Sequence, residues 1–206
     1  MDYRCNTPIL LLLFNRPKHT EAVLHRLRMV KPTKLFVHCD GARASVAGEE
    51  EKVANVRAKL GKIDWPCEVK TFFREQNAGL RLGVSGALNW FFEAVDQGII
   101  LEDDCLPDVS FFPFCEAMLE RYADEEQVMH IGGSNVAERF SKAFQTSYFF
   151  SQFSFVWGWA SWRRAWEKMS LDLDGLEHFI KDNRLKSLTP APMAQAYLLE
   201  KFRATK

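Results

Sequence analysis

The chain has 206 residues, and its 27 Lys and Arg balance its 27 Asp and Glu, so the formal net charge is zero. A chain without a basic excess lacks the electrostatic footprint of nucleic-acid or anionic-lipid binding. Its 47% hydrophobic and 26% charged residues are typical of a globular protein and exclude disorder or a coiled coil as its main character. One domain, or one domain and a fragment, is expected at this length.

The N-terminal residues show no pattern of a targeting or transmembrane segment. The longest purely apolar run covers 8–14, which is too short to span a bilayer. It passes directly into Asn15-Arg16-Pro17, a pattern typical of a strand followed by a loop and not of a secretion signal. We therefore expect a cytoplasmic protein, free or peripheral to the inner face of the membrane. The five cysteines form no C-x-x-C pair and are expected to be reduced.

Strand-like and helix-like segments alternate in the chain up to residue 131. Alternation of this kind predicts an α/β fold with a largely parallel sheet flanked by helices. Apolar runs predict strands at 8–14, 34–39, 99–101 and 128–131, and period-two alternation predicts one at 68–73. Helical periodicity predicts helices at 18–30, 49–60, 85–95, with Ser85 as the N-cap, and 110–122.

The character of the sequence changes near residue 145, where aromatic residues begin to crowd. We expect an α/β domain over 1–145 and an aromatic-rich segment over 146–206 that is incomplete at its C-terminus. The spacing of the tryptophans from Trp159 onward predicts the buried face of a helix. The other interpretation is that Trp157-Gly158-Trp159 lines a pocket, because aromatic faces stack on sugar rings.

Three adjacent carboxylates, Glu102-Asp103-Asp104, follow the apolar strand predicted at 99–101. Ligands of parallel sheets bind at the carboxyl ends of strands, and Mg²⁺ or Mn²⁺ takes one or two carboxylates together with substrate phosphates. Alternation along a strand would send Glu102 and Asp104 to one side and Asp103 to the other. The competing interpretation is a solvated acidic turn.

Other polar residues also follow predicted strands. Arg16 can pair with a diphosphate or hydrogen-bond a base, or it can be an exposed loop arginine. Asp40-Gly41 can contact a ribose or a base, or form an ordinary turn. Asn77 opens a loop whose glycines permit close approach of a ligand, or an ordinary loop. The sequence contains no P-loop, G-x-G-x-x-G or G-x-S-x-G motif, which disfavours the corresponding nucleotide-hydrolysing, dinucleotide-binding and serine-hydrolase classes.

An ordered set of motifs resembles a bacterial nucleotide-diphospho-sugar transferase family. The motifs are FNRP, HCDG, NAGLRLGVSGALNWFFEAV, IILEDDCLP, FFPFCEAML, HIGGSN and FVWGWASWRRAW. The resemblance covers roughly residues 8–170 and extends to GT-A fold glycosyltransferases, notably the N-acetylglucosaminyltransferase I type. It implies a Rossmann-like GT-A domain that binds Mn²⁺ or Mg²⁺ and a nucleotide-sugar donor, with a UDP-sugar favoured. It also implies a carbohydrate or glycolipid acceptor, inverting transfer and a part in surface polysaccharide synthesis.

The same resemblance implies roles for individual residues. Asp104 matches the direct metal ligand of the acidic motif, with Glu102 as a second metal residue. The segment Trp157-Gly158-Trp159 matches the one near the acceptor and the donor sugar. The residues implied at the donor nucleotide are Arg16, Asp40, Gly41, Asn77 and Asp103.

The catalytic base is not identified by the sequence. Inverting enzymes of this kind carry a carboxylate in a Trp-Asp pair, and none follows Trp166. The base is therefore expected beyond the last residue, and one alternative is a truncated or degenerate transferase that binds nucleotide without turnover. A second alternative, a sugar-nucleotide pyrophosphorylase, normally carries a glycine-rich basic loop where this chain has Asn15-Arg16-Pro17. A phospho-receiver domain is disfavoured, because its acidic pair follows the first strand.

Overall fold

A computed structural model of the chain describes residues 3–135 and 146–205. The strands are β1 (Ile9–Leu13), β2 (Lys34–Cys39), β3 (Glu68–Phe73), β4 (Gln97–Glu102), β5 (Ile131–Gly132) and β6 (Trp159–Trp162). The helices are α1 (Pro17–Val30), α2 (Glu49–Ala58), α3 (Gly79–Ala94), α4 (Phe111–Arg121), α5 (Arg163–Trp166), α6 (Leu176–Lys181), α7 (Leu185–Leu188) and α8 (Pro192–Thr205). A 3-10 turn, Lys59–Lys62, continues from α2.

The strands of the described residues form one sheet in the order β3-β2-β1-β4-β6-β5. Strands β3, β2, β1 and β4 run parallel, whereas β6 pairs antiparallel with both β4 and β5. All five residues of β1 are buried, as expected for a central strand covered on both faces. The predicted α/β class, with a Rossmann-like, mostly parallel sheet flanked by helices, is confirmed.

Two apolar clusters cover the two faces of this sheet. Alternate residues of β1 point to opposite faces, so Ile9 and Leu11 join one cluster and Leu10 and Leu12 the other. The first cluster includes the inward residues of α1, α2 and α4, and the second those of α3. Helices therefore pack on both faces, and the loops at the carboxyl ends of the strands meet at one edge.

The sheet order reverses between β1 and β4. The chain passes from β1 to β2 and β3 on one side, and then returns to add β4 on the other side of β1. In open α/β sheets such a reversal leaves a crevice outside the carboxyl ends of the two strands, where ligands bind. The loops that follow β1 and β4 are therefore the positions at which a site is expected.

Two sequence expectations were wrong in their details. The helix predicted to start at Ser85 starts at Gly79, and Ser85 lies inside it with its hydroxyl donating to the carbonyl of Arg81 at 2.7 Å. The tryptophan segment predicted as a helix contains strand β6, with Ile100 opposite Trp159 and Gln97 opposite Trp162. Both errors have the same cause: the residues that set the start of α3 and that pair with β6 are distant in sequence from these segments.

The remaining elements agree with the sequence to within a few residues. Strands β2 and β3 have the predicted bounds, whereas the strand predicted at 128–131 occupies Ile131–Gly132. The helix predicted at 49–60 ends at Ala58, where the 3-10 turn replaces it. Strand β3 lies at the edge of the sheet and is largely exposed.

The described residues divide into two compact units. One contains the residues up to Phe149 together with Ser154–Glu167, and the other contains Phe150–Phe153 and the residues from Lys168 onward. Strand β6 therefore belongs to the first unit, although the aromatic-rich segment was predicted to begin at 146. The predicted boundary at 145 itself lies outside the described residues.

The second unit is built from helices α6, α7 and α8. Its Gln195 side chain donates to the carbonyl of Thr189 at 2.8 Å, which closes the turn before α8. The guanidinium carbon of Arg184 lies 5.7 Å from the centroid of the Phe179 ring. In the described parts of the chain, no helix has the length and apolar character needed to cross a membrane.

Candidate functional site

An arginine and two aspartates meet at the crevice between β1 and β4. Nitrogen Nη1 of Arg16 lies 2.9 Å from Oδ1 of Asp103 and 3.0 Å from Oδ2 of Asp104. Arg16 is the residue that precedes α1, and the aspartates follow β4 directly. The two strands that flank the reversal of the sheet thus contribute opposite charges to one point.

The position of the aspartates depends on where β4 ends. The strand stops at Glu102, and the backbone N–H of Cys105 donates to the carbonyl of Glu102 at 3.0 Å, which closes a turn. The expectation that Asp103 would face away from Asp104 is therefore wrong. It assumed that strand alternation continues past Glu102, whereas the turn brings both aspartates to the same guanidinium nitrogen.

Arg16 and the two aspartates differ in exposure, and burial affects the charges of the acidic turn. Half of the Arg16 side chain is exposed, against 43% for Asp104 and 8% for Asp103. Burial raises the pKa of Glu102, and the neighbouring carboxylates of Asp104 and Asp103 raise it further. Burial is also the main cause that raises the pKa of Asp103, with Arg16 opposing it. Asp103 in turn is the main cause that raises the pKa of Arg16.

These residues are suited to a divalent cation that shares its coordination with a ligand. Oδ2 of Asp103 is buried and has no hydrogen-bond partner in the described part of the chain. The exposed fraction of Asp104 gives a second hard oxygen donor. No three His, Cys, Asp or Glu side chains of the described residues converge as a complete metal site. Asp103 and Asp104 are the residues that could hold a cation such as Mg²⁺ or Mn²⁺, whose other ligands would come from phosphate oxygens.

Asp40, at the end of β2, organises the loop that leads into α3. Its carboxylate accepts hydrogen bonds from the backbone N–H of Gly41 at 2.9 Å and of Ala78 at 3.0 Å. It also accepts from the N–H of Gly79 at 3.2 Å and from Nδ2 of Asn77 at 3.1 Å. Only 8% of Asp40 is exposed. The carboxylate thus caps the start of α3, although Asp40 itself follows strand β2 and is distant from the helix in sequence.

Two further contacts bring the predicted donor residues together around Asp40. Nδ2 of Asn77 also donates to the carbonyl of Gly41 at 2.8 Å. The Asn77 side chain therefore joins the loop before α3 to the loop after β2 by two hydrogen bonds. A methyl group added at Gly41 would lie 2.7 Å from the carbonyl oxygen of Glu75 and closer still to the carbonyl carbon of Gln76. Close packing of two backbones, and not a strained φ, is therefore the reason for glycine at position 41.

Two arginines that the sequence patterns did not single out lie near Asp40. Nη2 of Arg57 donates to the backbone carbonyl of Arg74 at 2.6 Å. The guanidinium of Arg57 packs over the ring of Phe73 at 4.9 Å, and that of Arg74 over Phe72 at 5.0 Å. Both cations lie at the carboxyl ends of β2 and β3. Their positions depend on tertiary packing, so the local sequence contained no signal for them.

A buried carboxylate, Glu49, joins the loops that follow β1 and β2. It is 1% exposed, and it accepts a hydrogen bond from Nδ2 of Asn15 at 2.8 Å and from the backbone N–H of Arg43 at 2.7 Å. The Arg43 guanidinium pairs with the same carboxylate and is the main cause that lowers the pKa of Glu49 to about 2. The sequence showed only a run of three glutamates, 49–51, without distinguishing the buried one.

The predicted pocket residues Trp157, Gly158 and Trp159 lie beside the acidic turn. Gly158 precedes β6, and a methyl group added to it would lie 3.6 Å from Leu101, the residue before Glu102. Gly158 has a φ of +70°, a conformation that L side chains rarely adopt. Trp157 is 63% exposed, whereas the ring of Trp159 stacks on that of His130 with centroids 5.1 Å apart.

Comparisons with known proteins add one structural likeness. No protein-family model matches the chain, and no curated protein matches it. A similar solved structure is that of 4-diphosphocytidyl-2C-methyl-D-erythritol synthase from Anaerococcus prevotii DSM 20548, with a TM-score of 0.44 and 8% sequence identity. The likeness covers 86% of this chain and 84% of that one. With so low an identity and score, it assigns neither a residue role nor an activity to this chain.

Proposed function

We propose that this chain is a divalent-cation-dependent transferase that acts on a nucleoside-diphosphate sugar. The observation that carries the proposal is the meeting of Arg16 with Asp103 and Asp104 at the reversal of the sheet order. A crevice at that position is where open α/β sheets bind nucleotides. It combines carboxylates suited to a cation with a guanidinium suited to a phosphate.

The chain's own residues divide the work of binding. Asp104 and, in place of the expected Glu102, Asp103 would hold Mg²⁺ or Mn²⁺, which when bound would supply positive charge to the two phosphates and to the leaving group. Arg16 contributes a second positive charge beside the same phosphates. Asp40 and Gly41 after β2, joined to Asn77 before α3, form the wall that we assign to the nucleoside.

Glycosyl transfer is the reaction we propose for the bound donor. The bond between the anomeric carbon and the diphosphate oxygen breaks, the acceptor oxygen forms the new bond, and its proton passes to a base. We assign to the sugar and acceptor side the exposed Trp157 and, next to it, the buried Gly158, whose positive φ turns the chain into β6. The acceptor is a carbohydrate or a glycolipid.

Nucleotidyl transfer, as in a sugar-nucleotide pyrophosphorylase, is the second candidate. A phosphate nucleophile already carries negative charge at neutral pH and needs no base, whereas a hydroxyl acceptor does. None of the described residues is assigned as that base. A shared cation site serves both reactions, which differ in the bond that breaks.

A thermal-shift measurement tests the binding proposal. The purified chain is melted with UDP, GDP or CDP, each with and without Mn²⁺. A ligand at about 100 times its Kd adds about 2.7 kcal/mol, which for a chain of this size raises Tm by about 5–10 °C. We expect a shift with one nucleotide that requires the cation, and UDP is the favoured one.

Paired variants locate the site. Asp104→Asn is expected to abolish the cation-dependent shift while the protein still melts cooperatively. The matched control is Asp64→Asn, since Asp64 is an exposed aspartate paired with Arg28 away from the crevice. An unchanged shift in Asp104→Asn, or an equal loss in both variants, contradicts the proposal.

Product analysis separates the two reactions. The chain is incubated with a UDP-sugar and Mn²⁺, with and without pyrophosphate. Release of UDP indicates glycosyl transfer or its hydrolytic side reaction. Formation of UTP and a sugar phosphate that requires pyrophosphate indicates nucleotidyl transfer. Nucleotide binding without either product supports a transferase that has lost turnover.

A further inference from the structure

The guanidinium of Arg16 bridges the two carboxylates that we propose as cation ligands. A single nitrogen, Nη1, contacts both Asp103 and Asp104, the two carboxylates suited to Mg²⁺ or Mn²⁺. A divalent cation on the remaining oxygens of these two carboxylates would lie within a few ångströms of Nη1, and like charges at that separation repel strongly outside bulk water. The arginine and a metal ion therefore compete for the two carboxylates.

Charge and exposure indicate which of the two partners can move. Glu102, Asp103 and Asp104 carry three formal negative charges against the one positive charge of Arg16, so the turn keeps an excess of two negative charges even with Arg16 in place. The side chain of Asp103 is only 8% exposed, and its Oδ2 is unpartnered in the described part of the chain, so this carboxylate is both fixed and under-satisfied. The side chain of Arg16 is 50% exposed and can turn toward solvent without unfolding its surroundings.

We propose that Arg16 is an exchangeable internal counter-ion: it neutralises Asp103 and Asp104 in the free protein and leaves them when a divalent cation binds. This inference rests on the cation site of the proposed function and adds an order of events to it. The released guanidinium remains at the start of α1, beside the same crevice, where a diphosphate binds. Cation binding thus prepares a phosphate contact, and by thermodynamic reciprocity a bound diphosphate favours the cation.

Metal binding alone tests the exchange, without any nucleotide. The free Mn²⁺ concentration is followed by electron paramagnetic resonance while the full chain is titrated. Removing the competing charge in Arg16→Gln is expected to tighten Mn²⁺ binding about tenfold relative to the unsubstituted chain. Arg16→Lys keeps a positive charge near the carboxylates and is expected to remain within about threefold of it.

A matched control removes an equal charge elsewhere. Arg28 lies at the far end of α1, is 53% exposed, and pairs with Asp64. Arg28→Gln is expected to leave the Mn²⁺ affinity unchanged. Adding Asp104→Asn to Arg16→Gln is expected to remove the gain, which places the bound ion at the acidic turn. Equal affinities of Arg16→Gln and Arg28→Gln, or no Mn²⁺ binding to either, overturn the exchange.

A measurement on the unsubstituted chain covers the case in which Arg16→Gln does not fold. The arginine side-chain Nε–H resonances are recorded in a ¹⁵N-labelled sample, and the resonance missing from Arg16→Lys is assigned to Arg16. Saturating Mg²⁺ is expected to shift this resonance and to leave that of Arg28 in place. An unmoved Arg16 resonance in a chain that binds Mg²⁺ overturns the proposal. Absence of nucleotide binding would count against the proposed function alone, because neither measurement includes a nucleotide.

Discussion

The carboxylate of Asp40 lies 3.0 Å from the backbone nitrogen of Ala78, so a residue at the end of β2 caps a helix packed on the opposite face of the sheet from α1. Orphan N–H groups at a helix start are normally satisfied by a side chain just before the helix. In α3 no local side chain does this. The cap and the predicted nucleoside wall are therefore the same residue, and its two contributions must be separated experimentally.

Removal of the Asp40 carboxylate is expected to destabilise the protein. Asp40→Ala leaves the N–H groups of Ala78 and Gly79 unsatisfied, and we expect a loss of about 2 kcal/mol in the free energy of unfolding. Asp64→Ala, at an exposed ion pair, is expected to cost less than about 0.5 kcal/mol. Urea denaturation measures both. Equal midpoints of the two variants would show that Asp40 is not a cap.

A methyl group at position 41 is expected to disrupt the contact between two loops. Gly41→Ala places its Cβ against the backbone of Glu75 and Gln76, which cannot yield as a flexible side chain would. We expect a loss of about 1–3 kcal/mol, the usual cost of overpacking. Gly61→Ala is the control, since a methyl group added at Gly61 would have nothing within 4 Å and its φ is not positive. It is expected to be neutral or slightly stabilising in the same denaturation experiment.

The ion pair of Glu49 is expected to make stability depend on pH in the acid range. The folded pKa of Glu49 is lowered from 4.5 to about 2, chiefly by the hydrogen bond from Arg43. A lowered folded pKa stabilises the protein fully above the unfolded value, and this stabilisation is lost as pH falls toward the folded value. The advantage over Glu49→Gln is therefore expected to shrink between pH 4.5 and 2. Parallel Tm curves of the two proteins over that range would contradict the assignment.

Glu21 supplies a comparison for that experiment. Its pKa is also lowered to about 2, by hydrogen bonds from Lys59 and Lys62, but 46% of its side chain is exposed. Salt screens exposed ion pairs more than buried ones. The pH-dependent difference produced by Glu21→Gln is therefore expected to decline at about 0.5 M NaCl, whereas that of Glu49→Gln is expected to persist.

His38 is expected to remain neutral in the folded protein down to low pH. Burial is the main cause that lowers its pKa from 6.5 to about 4, and its ring packs edge-on against Phe72 with centroids 5.2 Å apart. Since the unfolded chain takes up this proton first, the histidine lowers stability as pH falls from 6.5 toward 4. The ring resonances of His38 in a pH titration by NMR test this. A midpoint near 6.5 would show that the ring is accessible to water.

The sequence by itself determined most of the elements of the sheet and their order. The uninterrupted apolar residues of β1 predict a strand that is buried on both faces, and all five of its residues are buried. The spacing of Val23, Leu24 and Leu27 predicts a helix with one inward face, and all three residues are buried in α1. These patterns repeat along the chain, so the α/β class follows from local information.

Only the tertiary structure decided how the site is assembled. The start of α3 depends on Asp40, the strand character of Trp159–Trp162 on pairing with β4, and the shared direction of Asp103 and Asp104 on the turn after Glu102. Glu49 looks like its acidic neighbours until Asn15 and Arg43 are placed around it. In each case the deciding hydrogen bonds or strand pairs join residues that the fold, and not the local sequence, brings together.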